Sequence, residues 1–107
     1  MNNEYGTYGI INGFNNQSTG SNATINGTIN VVTGTNGTAF GGDNTVSGDY
    51  STAVGNKHNV SGDYGFANGG EIAAVGNTIA GDYGFAHGRA VTLSSTGPYN
   101  VGLGYNV

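Results

Sequence analysis

The chain has 107 residues, and its 22 glycines, 16 asparagines, 12 threonines and 7 serines fill 57 of them. Glycine costs about 1 kcal/mol per helix position, and Ser, Thr and Asn compete with the helix backbone for hydrogen bonds, so a helical bundle or coiled coil is excluded. A formal charge of −4, with Lys57 and Arg89 as the sole cations and no cysteine, removes the basis for nucleic-acid binding, for docking on an anionic membrane, for a disulfide framework and for the usual zinc sites.

In chain order, the first element is a phase. Gly6, Gly13, Gly20, Gly27, Gly34, Gly41, Gly48, Gly55, Gly62, Gly69 and Gly76 fall seven residues apart; the register then slips by two, and Gly81 and Gly88 resume the step. Phasing of this kind separates a repeat architecture from a disordered linker. The full period is fourteen, because the residues two before alternate glycines form separate columns: Ile11, Ile25, Ala39, Ala53 and Ala67 in one, Ser18, Val32, Val46, Val60 and Ala74 in the other. Asn2, Asn16, Asn30 and Asn44 repeat at the same spacing, as do Thr24, Thr38 and Thr52, and Tyr50 with Tyr64. Two short β segments per fourteen residues, each closed by a turn, predict an all-β parallel β-roll or β-solenoid of seven or so rungs, about 4.8 Å apart. Gly beside Asn or Asp is expected at the corners, as in Asn12-Gly13, Asn26-Gly27, Asn36-Gly37, Asn68-Gly69 and Gly48-Asp49.

Residues 1–37 read as N-terminal rungs with degenerate repeats. The start, Met1-Asn2-Asn3-Glu4, lacks a basic n-region and an apolar h-region, and no run approaches the length of a membrane span. Residues 38–88 hold the regular repeats, with an irregular coil expected near 70–81, where the Gly-Asp-Tyr units at 48–50, 62–64 and 81–83 are spaced 14 and then 19. Residues 89–107, with Pro98, leave the period and read as a C-terminal cap or extension. If the residue two before each glycine points into the coil, its neighbours point out. Phe40, Val54, Phe66, Val75 and Phe85 then form an outward apolar stripe, while Val46 and Val60 belong to the inner column. These seven are the candidate core and assembly residues, since a soluble monomer seldom exposes such a stripe.

The units Thr38-Ala39-Phe40-Gly41, Thr52-Ala53-Val54-Gly55, Phe66-Ala67-Asn68-Gly69, Ala73-Ala74-Val75-Gly76 and Phe85-Ala86-His87-Gly88 alternate with Val46-Ser47-Gly48 and Val60-Ser61-Gly62. In this the chain resembles the haemagglutinin-type head repeats of trimeric autotransporter adhesins, the YadA-like head, over residues 38–88. The resemblance implies left-handed β-rolls packed as a homotrimer about a threefold axis, on an extracellular bacterial cell surface, engaging a host-surface protein or glycan. Similar repeats occur in phage fibres, which leaves a virion fibre binding a host receptor as the alternative carrier.

The candidate ionisable residues are His58, His87, Asp43, Asp49, Asp63, Asp82, Glu4 and Glu71. His58 and His87 lie in different columns, so no nucleophile, base and orienting group can be assembled and no enzyme is expected; each His is expected at a solvated position or a turn. The calcium-binding nonapeptide Gly-Gly-x-Gly-x-Asp is absent, and no metal or cofactor is expected; Asp49 and Asp63 read as caps on turn N–H groups. Tyr50, Tyr64 and Tyr83 form a possible surface-contact ladder. The expected function is a non-enzymatic structural and adhesive module. An ice-binding solenoid is a lesser alternative, since the ladder of Thr24, Thr38 and Thr52 ends at Phe66.

Overall fold

A computed structural model describes residues 1–70, 76–94 and 97–107. Among them every strand pairing is parallel, and the strands form two seven-stranded sheets that alternate along the chain. The narrow sheet stacks Asn3–Glu4, Gln17–Ser18, Val31–Val32, Thr45–Val46, Asn59–Val60, Thr78–Ile79 and Thr92–Leu93. The wide sheet stacks Ile10–Phe14, Thr24–Thr28, Thr38–Gly42, Thr52–Asn56, Phe66–Gly69, Phe85–Arg89 and Val101–Tyr105. The result is a β-solenoid of about seven turns measuring 34 × 28 × 12 Å, its thin dimension matching two sheets packed about 10 Å apart.

The register states where the repeat is interrupted. Regular neighbours differ by fourteen, as in Ala39↔Ala53, but Ala67 pairs with Ala86 and Val60 with Ile79. Five additional residues therefore stand between Gly69 and Thr78. Ala86 pairs with Gly102, which inserts two more after Leu93. The expected irregular coil at 70–81 thus falls partly on residues outside those described, as do Val75, Ala73, Ala74 and Glu71. Gly76, which completes the seven-step count in the sequence, is not the rung partner of Gly62; that partner is Gly81.

The core is one residue wide on each side of the coil. Ile25, Ala39, Ala53, Ala67 and Ala86 of the wide sheet are fully buried, facing Ser18, Val32, Val46, Val60 and Ile79 of the narrow sheet, also fully buried. Side-chain size compensates across the coil. Ile25 shares its rung with Ser18, alanine with valine, Ala86 with Ile79, and Gly102 with Leu93, and the side chains of Val91 and Leu93 occupy the space that a Cβ at Gly102 would need. Constant width follows from constant volume, which a close-packed interior demands.

Only half of the seven-step glycines are at a corner: Gly20, Gly34, Gly48, Gly62 and Gly81 stand at the bend that opens the tyrosine-side turn, and the alternate set does not. Gly13, Gly27, Gly41, Gly55, Gly69, Gly88 and Gly104 lie within the wide-sheet strands with φ between 109° and 143°. A Cβ on Gly41 would fall on the carbonyl oxygen of Gly55 in the next rung. The corners are turned instead by left-handed residues that carry side chains: Asn22, Asn36, Tyr50, Tyr64, Tyr83 and Tyr99 at one, Asn15, Ile29, Asp43, Lys57, Ala90 and Asn106 at the other. Asn36-Gly37 and Gly48-Asp49 do lie at a corner, whereas Asn12-Gly13, Asn26-Gly27 and Asn68-Gly69 are in strand. Ile29, at φ 59°, is the least suited to its place, being β-branched and 56% exposed. Ile29→Asn, the residue that the same column carries at Asn15 and Asn106, is expected to stabilise the fold by about 1 kcal/mol, read as a higher midpoint in urea.

Candidate functional surfaces

The inner corner opposite the tyrosines holds a polar ladder. Asn30 accepts the N–H of Asn44 on Oδ1 at 3.1 Å and donates from Nδ2 to the Gly41 carbonyl at 2.9 Å. Asn44 repeats this toward His58 N–H at 3.0 Å and the Gly55 carbonyl at 2.9 Å. The positive φ of these glycines turns their carbonyls toward the amides, so glycine column and asparagine column are one device. Asn2, Asn16, Asn30, Asn44, His58 and Asn77 take successive places in it, and Val91 ends it, giving its N–H to Asn77.

His58 is therefore not the solvated or turn residue expected from its type; it is 1% exposed. The N–H of Asn77 donates to Nδ1 at 2.9 Å, and Nε2 faces the carbonyls of Gly69 and Val54 at 3.0 and 3.2 Å. A backbone N–H can only donate, so Nδ1 is the acceptor and Nε2 carries the proton: neutral imidazole imitates an asparagine amide. Burial lowers the pKa below the ordinary histidine value, against the opposing pull of the Gly69 and Val54 carbonyls. The missed signal was column position, since His58 stands fourteen after Asn44. His87 is exposed on the outer face of the wide sheet beside Asn68 and Leu103, in the column whose carbonyls at Val54 and Asn68 the ladder engages from inside.

The two outer faces differ. The narrow sheet shows Asn3, Gln17, Val31, Thr45, Asn59, Thr78 and Thr92, of which Val31 alone is apolar. The wide sheet, from its middle to its C-terminal end, shows Phe40, Val54, Phe66, Phe85, Val101 and Leu103. Phe40 and Phe85 are 41% and 40% exposed, Val54 and Phe66 are half-buried, and the rings of Phe66 and Phe85 stack at 5.5 Å. Val46 and Val60 are inside the coil. Thr24, Thr38 and Thr52 occupy one outer column and are followed in it by Phe66.

The third feature is the tyrosine corner. Tyr50, Tyr64 and Tyr83 stack face to face with centroids 5.1 and 5.0 Å apart, and Tyr99 extends the stack at 4.9 Å. Tyr99 was legible in principle, since Gly97-Pro98-Tyr99 keeps the Gly-x-Tyr order of the Gly-Asp-Tyr units. Beside the rings runs a carboxylate ladder: Asp49 accepts the N–H of Thr35 at 2.7 Å, Asp63 that of Asp49 at 2.8 Å, and Asp82 that of Asp63 at 2.9 Å. Each carboxylate caps the turn of the rung before it.

Residues 33–57 match the YadA head domain repeat, in two copies. No curated protein matches the chain. The matched stretch contains Thr38-Ala39-Phe40-Gly41, Val46-Ser47-Gly48 and Thr52-Ala53-Val54-Gly55, and its alanine and valine columns are the two inner walls of the coil just described. Repeat and coil coincide there, and over those residues the chain is similar to the YadA head repeat.

Proposed function

We propose that this chain is a non-enzymatic adhesive head that assembles as a homotrimer on an extracellular bacterial surface and attaches to a host-surface protein or glycan. The observation that carries the reading is the asymmetry between the two outer faces. Phe40, Val54, Phe66, Phe85, Val101 and Leu103 share one sheet, while the other sheet is polar at nearly every outward place. An inner core of alanine and valine one residue wide supplies little apolar burial, and covering the wide sheet with two further copies supplies more. Three copies also give three identical contact strips, so that weak single contacts hold a surface by avidity.

Light scattering at micromolar concentration tests the assembly. The wild-type chain is expected at three times the protomer mass. Phe40→Lys with Phe85→Lys is expected to give a monomer, and Thr45→Lys on the narrow sheet to leave the trimer intact. A stable wild-type monomer overturns the proposal.

A further inference from the structure

We propose that the tyrosine corner is a docking strip for a linear polysaccharide of amine-bearing hexosamines. The inference deepens the adhesive reading and rests on it, by naming what one surface of the head takes. It starts from backbone cost. Tyr50, Tyr64, Tyr83 and Tyr99 all sit at φ between 56° and 65°, in the column where Asn22 and Asn36 make the same turn. The left-handed conformation costs an ordinary L-residue about 1–2 kcal/mol and costs asparagine less. The turn itself does not call for tyrosine, yet four successive rungs carry it.

The geometry of the rings selects the kind of ligand. Because they stack face to face at 4.9–5.1 Å, the inner rings have no free face to offer a single apolar plate. They are nonetheless 46–55% exposed, and Tyr99 is 74% exposed. What a partner meets is a line of ring edges and hydroxyls at one regular pitch. That pitch is about the advance of one sugar along an extended β-linked chain; successive sugars face opposite ways, so like groups return at every second rung and stay in step with the stack. An extended peptide presents side chains on one side only every two residues, roughly 6.6–6.8 Å, and falls out of step.

Charge selects within the sugars. The residue before each of the first three tyrosines is Asp49, Asp63 or Asp82, each of which accepts a backbone N–H of the preceding rung on one carboxyl oxygen. A carboxylate row at the pitch of the hydroxyl row meets an amine at every second rung of a chain that carries one on each sugar, in a protein of net charge −4.

Titration calorimetry on the whole chain tests this, with a glucosamine hexamer, an N-acetylglucosamine hexamer and hexalysine as ligands, at the lowest pH at which circular dichroism shows the fold intact. The glucosamine hexamer is expected to bind best. Tyr64→Asn with Tyr83→Asn keeps the turn that Asn22 and Asn36 make, and is expected to weaken binding about tenfold or more. Asp63→Asn keeps an acceptor for the Asp49 N–H and is expected to weaken binding and flatten its salt dependence. Hexalysine binding as tightly and indifferent to the tyrosine changes, equal binding of the acetylated hexamer, or no binding of the glucosamine hexamer would each overturn the proposal. Light scattering on the same samples separates the two claims: a trimer that ignores the sugar refutes the strip alone, and a monomer that binds it refutes the assembly alone.

Discussion

Asn44→Ala is expected to cost roughly 3–5 kcal/mol and to leave the chain unfolded or nearly so at 37 °C, because one side chain satisfies two buried backbone groups at once. Its removal strands the N–H of His58 and the carbonyl of Gly55, bonded at 3.0 and 2.9 Å, and takes away the donor at 3.0 Å to Asn30 Oδ1. Orphaned donors and acceptors in a coil this thin have no water to turn to. Asn44→Asp makes a sharper comparison, since it has the same shape. Its carboxylate accepts from His58 but places a second oxygen against the Gly55 carbonyl, so it is expected to be as damaging as alanine at pH 7 and to recover partly in acid, when a proton restores the donor. Chemical denaturation at two pH values reads both. Recovery of Asn44→Ala to near wild-type stability would mean that the ladder only fills space.

The same ladder shows what the sequence makes legible. Columns of like residues at fourteen-residue spacing give the parallel coil, its two inner walls and the outward placing of Phe40 and Phe85, because strand alternation is a local rule that survives any tertiary context. The glycine column misleads, since a preference for turns is intrinsic whereas the need at Gly27 and Gly41 is between rungs: a carbonyl turned toward an asparagine, and a neighbouring carbonyl where Cβ would be. Residue type conceals His58, whose chemistry suggests solvent while its register places it after Asn44. Beyond it the five-residue insertion hides the continuation to Asn77, which stands nineteen residues on. At the tyrosine corner the repeat is plain in Tyr50 and Tyr64, but the stack becomes visible as one object only when the interrupted register brings Tyr83 and Tyr99 above them.

Acidification is expected to destabilise this protein through His58, with a sign that follows from the direction of its shift. The folded state holds the ring neutral, with its pKa lowered by burial from the ordinary value of 6.5. Well above pH 6.5 the ring is neutral in folded and unfolded chains alike, and stability does not depend on its titration. As the pH falls below that value the unfolded chain takes up a proton that the folded chain refuses, so stability declines, and the decline stops only once the pH has passed the lowered folded value. Geometry sharpens the penalty: a proton on Nδ1 would meet the N–H of Asn77, which now donates to it at 2.9 Å, and the rung above would lose its acceptor. Asparagine fills the equivalent place at Asn44 and Asn77 and cannot titrate. His58→Asn is therefore expected to fold at neutral pH and to lose the dependence of its urea midpoint between pH 7.5 and pH 5 that His58 gives the wild type. An identical fall in both proteins would place the acid sensitivity elsewhere, and a wild-type midpoint that rose in acid would mean that the buried ring is held as the cation.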